Sequence, residues 1–180
     1  QTIDPADGDK DFDLNDFDAT VWTGSSLTVY DDKPEVTKQI DLMSKIIEHG
    51  LPVYGSCWGM QVASVANGGK CSLADNGREM GPCEIHLTDA GLLHPMYEGK
   101  IGGVDKRGRG RGLGGRSFRG FESHNDEVCE VPKNGTVLAT NGHTRVQAME
   151  LIIDNGLTKV PIWGTQYHIE YDFMDFALLV

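Results

Sequence analysis

The chain has 180 residues, 39% hydrophobic and 24% charged, the balance of an ordinary globular protein with length enough for one substantial core. Its formal net charge of −11 argues against nucleic acid or an anionic membrane as main partner, because phosphate contacts need Lys and Arg. No apolar run approaches the roughly 18 residues that span a bilayer and no secretory segment opens the sequence, so the chain reads as cytoplasmic.

The first 18 residues carry seven aspartates (Asp4, Asp7, Asp9, Asp11, Asp13, Asp16, Asp18) and read as a solvated loop. Residues 19–22 form a short β-rich run, stopped by Thr23-Gly24-Ser25-Ser26: a strand and a turn. From residue 34 to 49, Val36, Ile40, Met43, Ile46 and Ile47 recur at spacings of three and four, which predicts an amphipathic helix ended by Gly50. Residues 51–54 read as a strand that runs through Gly55-Ser56-Cys57-Trp58-Gly59 into a helix over 60–66, stopped by Asn67-Gly68-Gly69. Strand, tight turn and helix make an α/β unit. Further strands are expected at 84–88, 136–140, 148–153 and 161–167, and residues 173–180 start a helix.

One segment breaks this rhythm. Residues 99–120 hold nine glycines and seven basic residues (Lys100, Lys106, Arg107, Arg109, Arg111, Arg116, Arg119). Such a stretch buries too little apolar surface to offset its ordering entropy, and reads as a flexible insertion. The sharper reading is a docking loop for an acidic partner or a nucleotide. No aromatic residue is interleaved with the Arg-Gly run, which argues against RNA.

Four cysteines occur, with no CxxC pair, so neither a structural zinc site nor a disulfide framework is expected. Cys71, Cys83 and Cys129 read as small buried hydrophobes. Cys57 differs, because glycines flank it two residues away on either side. A nucleophile on a sharp strand-to-helix turn needs small neighbours. A helix N-terminus favours thiolate, and the Trp58 N–H would point at a developing oxyanion. The alternative is a buried cysteine in a glycine turn. His168 and Glu170 follow an apolar run, and residues two apart in extended chain share a face. A carboxylate can then orient the imidazole that serves a thiol. His124 lies in the polar loop 122–126, while His49, His86, His94 and His143 read as structural or exposed. Spacing alone leaves a second Glu–His pairing open.

Together these residues resemble a known family. Gly55-Ser56-Cys57-Trp58-Gly59-Met60-Gln61 is similar to the nucleophile motif of class I (triad-type) glutamine amidotransferases. Gly164-Thr165-Gln166-Tyr167-His168-Ile169-Glu170 resembles the family's His-x-Glu segment, and Ser123-His124-Asn125-Asp126 resembles the preceding loop of the GMP synthase-like branch. Trp22-Thr23-Gly24-Ser25-Ser26 sits where the family carries its oxyanion loop. The resemblance implies a single domain over 1–180 with an α/β, three-layer, open, mostly parallel, flavodoxin-like sheet. It implies Cys57 as nucleophile, His168 as base and Glu170 as its orienting carboxylate. Gly24, Ser25 and Trp58 would hold the oxyanion; Gln61, Ser123, His124 and Asn125 would bind glutamine. No metal or cofactor is implied. Ammonia would pass to an unidentified acceptor: the implied partner is a separate synthetase subunit or another ammonia acceptor, or the protein acts alone. The alternatives are a γ-glutamyl hydrolase on the same fold and a catalytically silent binding module. Three departures stand out: Ile169 replaces the usual proline, Gly-Ser-Ser replaces Gly-Gly-Pro, and no apolar strand precedes residue 19. The last departure implies a sheet without the family's first strand, and the final helix reads as truncated.

Overall fold

Helix α1 (Pro34–His49) forms where the three-and-four spacing placed it, with proline at its first turn and Val36, Met43, Ile46 and Ile47 buried along one stripe. Gly50 ends it in the left-handed region (φ 96°), returning its N–H to the carbonyls of Ile46 and Ile47. The computed structural model describes residue 2 and residues 12–100, 115–154, 156 and 158–178. In chain order the remaining elements are β1 (Thr20–Trp22), β2 (Val53–Ser56), α2 (Trp58–Ala66), β3 (Lys70–Leu73), β4 (Glu79–Leu87), α3 (Asp89–Leu93), β5 (Ser117–His124), β6 (Asp126–Glu130), β7 (Gly135–Thr140), β8 (Ala148–Asp154), β9 (Lys159–Thr165) and α4 (Phe173–Ala177).

Seven strands make one sheet in the order β1-β2-β9-β8-β7-β4-β5, and β3 and β6 form a separate ribbon. The α/β class is as expected, but the sheet is mixed rather than mostly parallel. Only β1–β2 and β2–β9 run parallel. The β9–β8, β8–β7, β7–β4 and β4–β5 pairs are antiparallel. The reason is local: β7, β8 and β9 follow one another with short links, which join antiparallel neighbours without a crossover. Among the described residues β1 is the first strand, and it stands at the sheet's edge.

Each face of the sheet buries its own cluster. Val36, Met43, Ile46, Met60, Val62, Met149, Leu151 and Ile162 belong to one, which joins α1 and α2 to the sheet. Ile85, Leu87, Phe118, Leu138, Ala148 and Tyr167 belong to the other. Ala148 and Met149 fall in different clusters because successive strand residues face opposite ways.

Residues 117–120, assigned by composition to the flexible insertion, belong to β5, where Ser117, Phe118 and Gly120 are buried. Pairing with β4 from Glu79↔His124 to His86↔Ser117 supplies what the local sequence lacks. Lys100 lays its ammonium over the Phe118 ring, 4.2 Å from the centroid. Residues 101–114 of that insertion lie outside the described residues, as do Asp4, Asp7, Asp9 and Asp11. Asp13, Asp16 and Asp18 are exposed, as a solvated segment requires. Among the described residues no helix is long and apolar enough to cross a membrane.

Candidate active site

Strand β2 runs into helix α2 through a single residue, Cys57 (φ 51°, ψ −103°). It is the one non-glycine residue with positive φ among the described residues. An L-residue held there is strained, and such strain persists only where the surroundings over-determine it. Those surroundings are on either side. A Cβ added at Gly55 would fall 2.4 Å from the Gly59 carbonyl carbon, and one at Gly59 would fall 2.6 Å from Trp22 Cβ. Only glycine lets the chain turn back so closely on itself. The Cys57 N–H donates to the Thr165 carbonyl at 2.7 Å, tying the bend to the end of β9.

His168 follows β9 by three residues, and its N–H donates to the Phe121 carbonyl at 2.8 Å. Its Nδ1 lies 2.7 Å from Glu170 Oε1. A carboxylate only accepts, so Nδ1 carries the proton and Nε2 is left as an acceptor. That Nε2 is buried and has no hydrogen-bond partner among the described residues. Burial works against charge on Glu170, yet the His168 hydrogen bond and other donors hold its carboxyl below the usual range. Ser56 Oγ donates to the same carboxylate at 3.0 Å. Tyr171 stacks on the His168 ring, 4.1 Å between centroids and 4° from parallel.

Cys57, His168 and Glu170 line one cleft of about 590 Å³, together with Gly24, Ser25, Gln61, Ser123, His124 and Asn125. Gly24 sits against both reactive groups: a Cβ there would lie 2.9 Å from His168 Cε1 and 3.8 Å from Cys57 Cβ. The Trp58 backbone N–H is directed at the Cys57 sulfur, while its indole is turned away and donates to Gln39 Oε1 at 2.8 Å. Desolvation dominates the thiol, with help from the nearby charges of Glu122 and Glu170, and pushes its pKa up to about 12. The helix N-terminus supplies a donor that favours thiolate, the Trp58 N–H, but burial outweighs it.

Two residues expected to bind substrate are committed elsewhere. The Gln61 amide nitrogen donates to the Asp126 carbonyl at 3.0 Å and approaches Gln166 Oε1 at 3.3 Å, fixing the loop rather than leaving a free donor. The His124 ring points inward. Its Nδ1 is 3.0 Å from the Asp126 carbonyl, and its Nε2 is 3.1 Å from Glu79 Oε2 and 3.3 Å from Glu122 Oε2. Burial alone would lower the imidazole pKa, but the hydrogen bonds and charges of Glu122 and Glu79 outweigh it and lift it to about 9. Glu79, Glu122 and His124 bring ligand atoms within 4.8 Å of one another, so this cluster is where a cation would fit among the described residues. The Nδ1 proton is fixed by the Asp126 carbonyl, so a second proton on Nε2 would be donated to Glu79 Oε2, while the Glu122 carboxylate lies close but accepts no hydrogen bond among the described residues.

Gln166 escaped the sequence reading. Its Nε2 lies 3.4 Å from the Cys57 sulfur, and its Oε1 faces Gln61. The signal was available, because Gln166, His168 and Glu170 alternate along one extended run. Ser56 and Glu79 gave no such signal, since their partners are distant in sequence; Glu122 stands only two residues before His124, a spacing the sequence shows.

Residues 11–175 match the family described as glutamine amidotransferase class-I. The chain belongs to the class I glutamine amidotransferase family. Among its curated relatives, a γ-glutamyl-L-1-hydroxyisopropylamide hydrolase of a Pseudomonas species is 33% identical over 168 residues, covering 91% of the chain and 50% of the relative. A glutamine-hydrolyzing GMP synthase subunit from Ignicoccus hospitalis is 32% identical over 168 residues, covering 93% of the chain and 74% of the relative. The chain thus spans about half the length of the first and about three quarters of the second. A glutamine amidotransferase of Thermotoga maritima shares the fold, with a TM-score of 0.70 at 18% identity, covering 92% of this chain and 62% of that one.

Proposed function

We propose that the chain hydrolyses the side-chain amide of glutamine through a Cys57 thioester, with His168 as proton carrier and Glu170 as the carboxylate that aligns it. The supporting observation is the cleft itself: a strained cysteine elbow shares it with an imidazole whose Nδ1 is tied to a carboxylate and whose Nε2 is free to accept. Because the resting thiol is protonated, proton removal accompanies attack. Sγ bonds to the δ-carbon as the thiol proton moves to His168 Nε2. The carbonyl oxygen gains charge and is held by backbone N–H groups near Gly24, Ser25 and Trp58. Collapse breaks the C–N bond, and His168 gives its proton to the leaving ammonia. Water, deprotonated by the same Nε2, then attacks the thioester carbon; the C–S bond breaks, glutamate leaves, and Nε2 returns the proton to Sγ. Gln166 Nε2 steadies the sulfur beside this path.

The ammonia would pass to a separate synthetase subunit. The similarity to the Ignicoccus GMP synthase chain supports that reading. A second reading has a specific observation behind it. The Pseudomonas relative's name specifies a γ-glutamyl alkylamide, so the leaving group here would be an amine rather than ammonia. One assay separates the two. Ammonia release from L-glutamine is compared with amine release from γ-glutamylisopropylamide, with Cys57→Ala as control. We expect glutamine to be hydrolysed, Cys57→Ala to be inert, and His168→Ala to lose roughly a hundred- to ten-thousand-fold in kcat. Wild-type rates in His168→Ala would remove the imidazole from the mechanism. Turnover of the alkylamide alone would establish the second reading.

A further inference from the structure

The charges lining the cleft are unevenly committed. Glu170 is held by His168 and Ser56, and Asp126 accepts from the Tyr30 hydroxyl at 2.8 Å. Arg78 is the one Lys or Arg among the lining residues. It is exposed, and it makes no hydrogen bond or ion pair with any described residue. Its head group is free, but its backbone is not. The next residue, Glu79, is clamped by Asn141 at 2.6 Å, Gln147 at 2.9 Å and His124 at 3.1 Å. Glu79 also pairs with His124 in the β4–β5 register, which sets Arg78 beside Asn125 at the end of that ladder. Ala74, four residues earlier, donates its N–H to the Asn125 carbonyl at 2.9 Å. A free guanidinium therefore stands on an anchored stem, at the rim of the cleft that holds Cys57.

A γ-glutamyl substrate with its δ-carbon at Cys57 still carries an α-carboxylate and an α-ammonium three carbons away. That carboxylate needs strong donors, and Arg78 carries the one Lys or Arg head group lining the cleft. Planar guanidinium matches a carboxylate with two parallel N–H···O bonds. We propose that Arg78 binds the α-carboxylate of the substrate and makes the cleft selective for acyl groups that carry it. This rests on the γ-glutamyl reading above but not on whether ammonia or an amine leaves. An arginine that is merely solvated would contribute charge without selectivity.

The test compares wild type, Arg78→Ala and Arg78→Lys on L-glutamine and on 4-aminobutanamide, which has the amide and amine but no α-carboxylate. In Arg78→Ala the ratio of kcat/KM for L-glutamine over 4-aminobutanamide should fall tenfold or more, mainly through KM. Arg78→Lys should recover part of it. A ratio unchanged from wild type would overturn the assignment. A second readout needs no turnover: protection of Cys57 from iodoacetamide by L-glutamate. Wild type should be protected, and Arg78→Ala should need at least tenfold more glutamate, with the unprotected labelling rate unchanged. Equal protection of both proteins, or none in wild type, would also overturn it. Glutamate protection lost in Arg78→Ala, in a wild-type protein that hydrolyses no amide, would instead sink the catalytic reading and leave the carboxylate site standing.

Discussion

Gly24 shows how narrow the tolerances are at the scale of one residue. It has no side chain, so the His168 ring can lie where a Cβ would come within 2.9 Å of Cε1. Gly24→Ala should push the imidazole aside. Displacements near an ångström can cost on the order of a hundredfold in rate. We expect kcat for glutamine to fall roughly tenfold or more while the melting temperature stays near wild type, because Gly24 packs in the cleft and not in either core cluster. A melting temperature that drops with kcat would show that the residue holds the fold instead. Cys57 and His168 could be named from sequence because each sits in a short motif. Arg78 could not be ranked that way, since its meaning depends on what lies across the cleft.

Elements position these residues through their ends. Helix α1 stops because Gly50 adopts φ 96° and returns its N–H to the last turn, so that Leu51 starts toward β2 and the cysteine elbow. Gly50→Ala keeps the hydrogen bonds but forces a Cβ into the left-handed region, and should destabilise the protein by about 1 kcal/mol in urea unfolding, with no change in m. No loss of stability would mean the helix end relaxes freely. The sequence placed α1, α2 and β7, β8 and β9 within a few residues, because each shows a run of apolar residues with a clear stop. It missed β5, whose Ser-Phe-Arg-Gly start reads as part of a basic, glycine-rich stretch. That strand forms because β4 offers it eight paired positions. Strand pairing between distant segments is invisible to local composition.

At the scale of the whole molecule, the buried His124 cluster links stability to pH. Glu79 joins His124, Asn141 and Gln147, so β4, β5 and the segment leading into β8 meet at one ionised group. His124 is raised from 6.5 to about 9 in the fold, so protonation favours the folded state. Its contribution is fully present below pH 6.5, declines as pH rises, and is lost above about 9. The window is worth on the order of 3 kcal/mol. Wild type should therefore lose its stability advantage over His124→Asn between pH 6.5 and 9, read as the difference in urea unfolding free energy at several pH values. A difference that is flat with pH would show that the imidazole stays neutral.

The α/β class, the elbow at Cys57, the His168–Glu170 pair and the order of four motifs are legible in the amino-acid sequence, because each is encoded in a few adjacent residues with a steric or periodic requirement. The mixed strand directions, the inward turn of His124, the burial that raises the Cys57 thiol and the guanidinium of Arg78, unpaired among the described residues, arise only in the folded chain. Those depend on which distant groups share a low-dielectric space, and desolvation and pairing are properties of that space rather than of any short stretch of chain.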